Sequence, residues 1–158
     1  MYYVIAIMLG IGLGFFVCYY TVVQTKVKEL VDVRNNFFKF EEFYWVLVRW
    51  IKGRNKGASV AQLVKKFGEK RVAIYGMKEL GALLLEEFTN EGVDVVYAID
   101  NNADNIYLPI DIYKMSEDLP DADIIIVTAI HYFDEIKDSI DRKMNCQVIS
   151  LNDLVKSI

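Results

Sequence analysis

From Arg71 onwards, short apolar runs alternate with amphipathic segments, and this alternation constrains the fold of the chain more than any other feature. Four runs have the length and composition of buried strands, at residues 71–75, 93–99, 124–127 and 147–150. Three segments have helical spacing, at residues 79–90, 133–143 and 151–157. Continuous apolar strands separated by helices are typical of a parallel sheet covered on both faces. We therefore predict an α/β fold, a Rossmann-like parallel sheet of about five strands, with a short fifth strand near residues 110–113.

The loop after the first predicted strand carries a glycine pattern. Gly76 and Gly81 stand at the first and last positions of the dinucleotide fingerprint, and Lys78 replaces its middle glycine. Gly76 suits a tight turn and Gly81 suits close helix–strand packing, whereas the missing glycine is the one that lets backbone approach a pyrophosphate. The helix N-terminus that follows still favours an anion, to which Lys78 adds a positive charge. The alternative interpretation is a fold that keeps the turn without a ligand.

Three further residues are predicted to lie near this loop. In open parallel sheets ligands bind where the strand order reverses, here between the first strand and the strand at 124–127. Asp100 ends the second strand, 24 residues after Gly76, where an acidic residue accepts ribose hydroxyls. Thr128 and His131 follow the 124–127 strand, and His131 either contacts a ligand or is an ordinary surface residue that begins a helix. The predicted binding residues, with no catalytic and no metal-ligating residue, are Gly76, Met77, Lys78, Gly81, Asp100, Thr128 and His131.

The segments 72–81, 97–100 and 127–136 resemble a bacterial family. Its members are small Rossmann-like nucleotide- or nucleotide-sugar-binding domains, encoded with or fused to enzymes of surface-polysaccharide (capsule or exopolysaccharide) biosynthesis. The resemblance covers residues 37–158, but the family loop reads Gly-Met-Gly-Glu-Leu-Gly, so Lys78 is a departure. The resemblance implies that Gly76, Gly81 and Asp100 bind a nucleotide or a nucleotide sugar, and NAD is the alternative ligand. It also implies that the partner is a membrane-associated sugar-transfer enzyme.

The N-terminal residues 4–23 form an uncharged, mostly apolar run. Twenty such residues match the thickness of a bilayer core, so we predict a transmembrane anchor over residues 1–25. Lys26 and Lys28 follow the run, and no basic residue precedes it. The positive-inside rule then predicts a single-pass protein of the cytoplasmic membrane, with the N-terminus outside and the C-terminal domain at the inner leaflet in the cytoplasm. Gly10 and Gly14 either have the spacing of a homodimer contact between such helices or reflect the general frequency of glycine in membrane helices.

Residues 26–70 are predicted to form an amphipathic, aromatic helical linker, and residues 71–158 the Rossmann-like domain. The linker has six aromatic residues between Phe37 and Trp45, interleaved with charges. Such a helix lies either in a membrane interface or against protein, and Glu41 and Glu42 favour packing against protein because they oppose anionic lipid. A Ser59–Gln62 capping box predicts the start of a further short helix.

The charge distribution and the absence of certain sequence motifs reduce the number of candidate functions. Residues 71–158 carry 7 basic and 17 acidic side chains, which excludes a typical nucleic-acid-binding domain. We predict a membrane-anchored, non-catalytic nucleotide- or nucleotide-sugar-binding accessory module. The alternatives are an NAD-dependent nucleotide-sugar epimerase or dehydratase, and a purely structural scaffold. Enzymes of the first alternative have a Tyr-x-x-x-Lys pair, and no tyrosine of this chain is followed by lysine four residues later, so an enzyme is the less favoured interpretation.

Overall fold

The computed structural model describes residues 1–68 and 70–158, and the side chains of residues 4–7 and 9 lie outside this description. The helices of the described chain are α1 (Tyr2–Asn55), α2 (Val60–Lys65), α3 (Glu79–Glu91), α4 (Phe133–Asp141) and α5 (Leu151–Lys156). The strands are β1 (Val72–Tyr75), β2 (Val95–Ile99), β3 (Ile112–Tyr113), β4 (Ile124–Val127) and β5 (Gln147–Ser150). Two 3-10 turns lie at Ala103–Asn105 and Ile130–Tyr132. Contacts divide the chain into two compact units, Met1–Glu42 and Phe43–Ile158.

The five strands form one parallel sheet in the order β3-β2-β1-β4-β5. The chain builds outward from β1 in one direction through β2 and β3, then returns to the other side of β1 with β4 and β5. The strand order therefore reverses between β1 and β4, as predicted, and the predicted five-stranded parallel α/β sheet is confirmed.

The sheet is apolar on both faces because alternate residues of its central strands enter two different cores. Val72 and Ile74 of β1 pack in the core shared with α2, α3 and α5. Ala73 packs in the opposite core, which includes Ile140 of α4. The side chains of β4 are completely or almost completely buried, which explains its uninterrupted run of branched residues.

The prediction of a transmembrane anchor is wrong. Among the residues that the structure describes, no helix has a stretch that is both long and apolar enough to cross a bilayer. Insertion into a bilayer depends on the summed apolarity of a segment as well as on its length and lack of charge. Glycines and tyrosines dilute the run from Gly10 onwards, and Gln24 and Lys26 follow closely. The side chains of residues 4–7 and 9, part of the predicted span, lie outside the described set.

Two further predictions that accompanied the anchor are also affected. The single-pass membrane localisation, with its outside N-terminus, was derived from that span and is not supported. The aromatic segment is also not a separate linker helix, because α1 runs without a break from Tyr2 to Asn55. The boundaries predicted after residues 25 and 70 stay predictions.

The last part of α1 packs on the sheet unit, although of the aromatic residues from Phe37 to Trp45 only Phe43 takes part in this packing. Val46 and Trp50 are buried in the same core as β1 and α3, and Phe43 and Leu47 are partly buried against it. The aromatic side chains just before, including Phe40, are exposed. In Met1–Glu42 every described side chain is exposed except those of Lys39 and Glu42, which are half-buried.

A buried acidic side chain connects three helices of the Phe43–Ile158 unit. Glu87 of α3 accepts hydrogen bonds from Trp50 Nε1 (2.7 Å), Arg54 Nη1 (2.7 Å) and the backbone N–H of Ala61 (3.0 Å). Ser59 caps α2 by accepting a bond from the Gln62 N–H, which confirms the predicted helix start. These polar contacts fix α1, α2 and α3 against one face of the sheet.

Candidate functional site

The site that the sequence predicts lies at the carboxyl edge of the sheet, where β1 leads into α3. Gly76 has φ +93°, a left-handed conformation that glycine adopts without strain. Its N–H donates to the carbonyl of Ile99 in β2 (2.8 Å). A Cβ at Gly76 would also lie 2.8 Å from Thr128 Oγ1. The turn therefore requires glycine both for its conformation and for the close approach of β4.

Gly81, in the first turn of α3, lies directly against this turn. A Cβ at Gly81 would be 2.0 Å from the carbonyl oxygen of Gly76 and 3.3 Å from Met77 Sδ. Because the nearest atom belongs to the backbone, no side-chain movement relieves the clash. The absence of a side chain here lets α3 start close to the end of β1, the packing role predicted for the last glycine of the pattern.

Asp100 braces the glycine loop from the end of β2. One carboxylate oxygen accepts the N–H of Met77 (2.7 Å), and the other accepts the N–H of Asn102 (2.8 Å). The predicted ribose acceptor therefore also holds two loops of its own fold together. Each carboxylate oxygen accepts up to two bonds, which leaves acceptor capacity for a further hydroxyl donor.

Thr128, the residue directly after β4, forms hydrogen bonds to the same loop. Its hydroxyl lies 3.1 Å from the carbonyl oxygen of Tyr75 and 2.5 Å from that of Gly76, and it is buried. Its backbone N–H also donates to Tyr75 (2.9 Å). The side chain binds to the loop itself, so any contact of Thr128 with a ligand would compete with these bonds.

The start of α3 combines a helix N-terminus with one exposed cation. Lys78 is the N-cap residue, and its side chain makes no capping hydrogen bond. The first N–H groups of an α-helix have no partner within the helix and carry the positive end of its dipole. The Lys78 side chain is exposed, whereas Met77 is buried in the core and turns its side chain away from solvent. Glu79 adds a negative charge in the same turn.

His131 lies in the 3-10 turn that follows β4. Its ring is exposed and contacts the Tyr132 ring edge-to-face, at a centroid distance of 5.2 Å. The structure therefore places Gly76, Lys78, Gly81 and Asp100 around one loop, with Thr128 bonded to it. His131 follows Thr128 by three residues. This position is compatible both with a place at the rim of the ligand crevice and with an ordinary surface residue, so the two alternatives stay open.

The sequence analysis did not single out Tyr75, the last residue of β1. Burial raises the pKa of its phenol, and the negative charge of Asp100 adds to the rise. Its position at the end of β1, one residue before the turn, could have indicated a place in the site, because residues at the carboxyl ends of parallel strands line the ligand crevice.

Two cavities lie elsewhere on the Phe43–Ile158 unit. A groove of about 310 Å³ runs between the end of α1 and α3, lined by Leu47, Ile51 and Leu83 among others. A second, of about 360 Å³, lies near the start of β2. Within the described part of the chain, no cluster of three or more His, Cys, Asp or Glu side chains could hold a metal ion.

Comparison with known proteins gives no match: no family model fits the chain, and no curated protein or solved structure is significantly similar to it. The fold is therefore supported by the sheet topology itself. The family resemblance and its link to polysaccharide biosynthesis stay predictions.

Proposed function

We propose that the Phe43–Ile158 unit binds the phosphate groups of a nucleotide or nucleotide sugar at the start of α3, without catalysing a reaction. The observation that carries this proposal is the uncapped helix N-terminus at the point where the strand order reverses. Anions bind at helix N-termini because unpaired N–H groups and the dipole act together. Lys78 adds an exposed positive charge at that end.

The proposed ligand follows from the loop and from the resemblance. Lys78 occupies the position of the glycine that would let backbone approach a dinucleotide pyrophosphate. The loop therefore suits a phosphate held by a lysine side chain better than the close backbone contact made with NAD. On the resemblance, the module would serve a sugar-transfer enzyme of surface-polysaccharide biosynthesis by holding its sugar nucleotide.

A second candidate, a structural scaffold with an empty crevice, is favoured by one observation. Both oxygens of Asp100 and the hydroxyl of Thr128 are bonded to the loop of the protein itself. A site that brought polar groups together for a ligand alone would leave more of them pointing outward.

Calorimetric titration of the full chain with UDP-glucose, other UDP-, CDP- and dTDP-sugars and NAD distinguishes these candidates. Asp100 is a poor test position, because its replacement also frees two loop N–H groups. Lys78→Gln is better, since it removes the charge and leaves the loop glycines intact. We expect it to weaken sugar-nucleotide binding by about tenfold, the size of one charge-assisted bond to phosphate.

The matched control is Lys70→Gln, which removes the same charge before β1, at the opposite edge of the sheet. It should leave affinity unchanged. If no sugar nucleotide binds, or if both variants weaken binding equally, the phosphate-binding proposal is overturned and the scaffold is favoured. Lys78→Gly provides a further measurement: gained NAD binding would show that the lysine excludes the dinucleotide.

A further inference from the structure

The Met1–Glu42 unit carries a heptad pattern that the proposed ligand site does not use. Alternating steps of three and four residues, starting at Leu13, define one line of positions along α1 that extends over four heptads. The members of this line, called the α1 seam below, are Leu13, Phe16, Tyr20, Val23, Val27, Leu30, Arg34, Phe37 and Glu41. Seven of the nine are apolar, and the six from Leu13 to Leu30 follow one another without interruption. Apolar residues at this heptad spacing are typical of a coiled coil.

The apolar side chains of the α1 seam are exposed in the single chain. The apolar members are between 37 % and 70 % exposed, with Val23 the least and Leu30 the most exposed. Val31 and Phe38 lie beside the seam and are also exposed. Monomeric proteins rarely expose so long a line of large apolar side chains, so this face is expected to be covered by a partner.

The heptad pattern of the segment favours a second copy of the same helix as that partner. Between Lys26 and Glu42 the helix carries four basic and four acidic side chains, so this stretch has no net charge that would keep two copies apart at long range. From Thr25 on, the outward heptad positions are occupied by polar residues: Thr25, Lys28, Glu29, Asp32, Asn35, Asn36, Lys39 and Glu42. A β-branched Val27 followed by Leu30 is the arrangement that favours two strands in a parallel dimer.

We propose that the chain forms a parallel, in-register homodimer through the α1 seam. Arg34 and Glu41 interrupt the apolar line at equivalent heptad positions. Polar residues at such positions fix register and strand number in coiled coils while lowering stability. This interface differs from the Gly10–Gly14 contact predicted from sequence, because neither glycine lies on the seam. The proposal does not depend on a ligand at the glycine loop.

Disulfide trapping of the full chain tests the arrangement directly. In a background with Cys18→Ser and Cys146→Ala, Leu30→Cys places a thiol on the seam and Asp32→Cys places one on the outer face. Mild oxidation should convert most of the Leu30→Cys chain to a covalent dimer and leave the Asp32→Cys chain largely monomeric. Equal trapping of both variants, or no trapping of Leu30→Cys, would overturn the proposal.

Sedimentation equilibrium gives an independent measurement. Leu30→Glu should raise the dimer dissociation constant by about a hundredfold, since two leucines leave the interface and two carboxylates face each other. The control Asn36→Glu adds the same charge on the outer face and should have little effect, whereas Arg34→Leu should tighten association. A dimer that survives Leu30→Glu but dissociates with Gly10→Leu and Gly14→Leu would assign the contact to the glycines instead.

Discussion

The carboxylate of Glu87 is 5 % exposed and accepts bonds from Trp50, Arg54 and the Ala61 N–H. These bonds also explain why the pKa of Arg54 is raised, first through its hydrogen bond to Glu87. Nothing in the local sequence marks this glutamate as buried apart from its place between Leu84 and Phe88 on the inward side of α3.

Glu87→Ala should lower the free energy of unfolding by about 2–3 kcal/mol, because it leaves the indole and Ala61 N–H groups buried without an acceptor. Urea unfolding followed by circular dichroism measures the change. Glu86→Ala, one residue earlier and exposed in the same helix, should change stability by less than about 0.5 kcal/mol. Equal effects of the two substitutions would mean that the cluster does not stabilise the fold.

Tyr97 is a second residue whose environment predicts a measurable effect. Its ring is buried beside Tyr113, and within the described chain its hydroxyl has no hydrogen-bond partner. Tyr97→Phe should therefore raise the free energy of unfolding by about 1 kcal/mol, since it removes a buried polar group without a partner. Tyr113→Phe, in the contacting ring, is the control.

Tyr97→Phe should also change how the free energy of unfolding depends on pH in the alkaline range. Burial is the main cause that raises the pKa of Tyr97 from 10.0 to about 12. The folded protein then keeps its phenol proton at a pH where the unfolded chain has lost it, so stability falls as pH rises from about 10 to 12. In Tyr97→Phe this part of the loss should disappear. Parallel stability curves of the two proteins over that range would contradict the assignment.

Among the secondary-structure elements, the close junction of β1 and α3 depends on the absence of a side chain at Gly81. Gly81→Ala would place a Cβ 2.0 Å from the Gly76 carbonyl oxygen, and α3 would have to move away from the sheet. We expect a loss of at least about 3 kcal/mol, the upper range for overpacking in a core.

Gly92→Ala provides the comparison, because the residue ends α3 with φ +69° and has open space around it. There only the left-handed backbone opposes a side chain, which costs about 1–2 kcal/mol. Thermal unfolding of both variants measures the difference. A Gly81→Ala protein at least as stable as Gly92→Ala would show that the junction is looser than the structure describes.

At the scale of the whole molecule, the sheet and the end of α1 form one folding unit. Val46 and Trp50 share a core with β1, α3 and α5, and Glu87 bonds to Trp50 and Arg54. The fragment 43–158 should therefore fold cooperatively. The fragment 71–158, which starts at the boundary predicted from sequence, loses α2 and the end of α1 and exposes the apolar core side chains that these two segments cover.

Circular dichroism, dye binding and NMR dispersion of the two fragments test this expectation. Fragment 43–158 should give dispersed spectra and a sharp unfolding transition. Fragment 71–158 should bind a hydrophobic dye and unfold gradually, because it exposes the apolar side chains that α2 and the end of α1 cover in the longer fragment. Cooperative unfolding of the shorter fragment would place the domain boundary after residue 70.

The sequence by itself determined the sheet and the position of the glycine loop. Period and composition are local properties, so the four buried strands and α3–α5 could be found without knowing what they contact, and the crossover pattern then fixed where the strand order reverses. The tertiary structure decided the rest. It showed that Asp100 and Thr128 bind the loop itself, that α1 is continuous, and that Glu87 is buried. Those outcomes depend on which groups from distant parts of the chain meet, and this cannot be read from a residue and its neighbours.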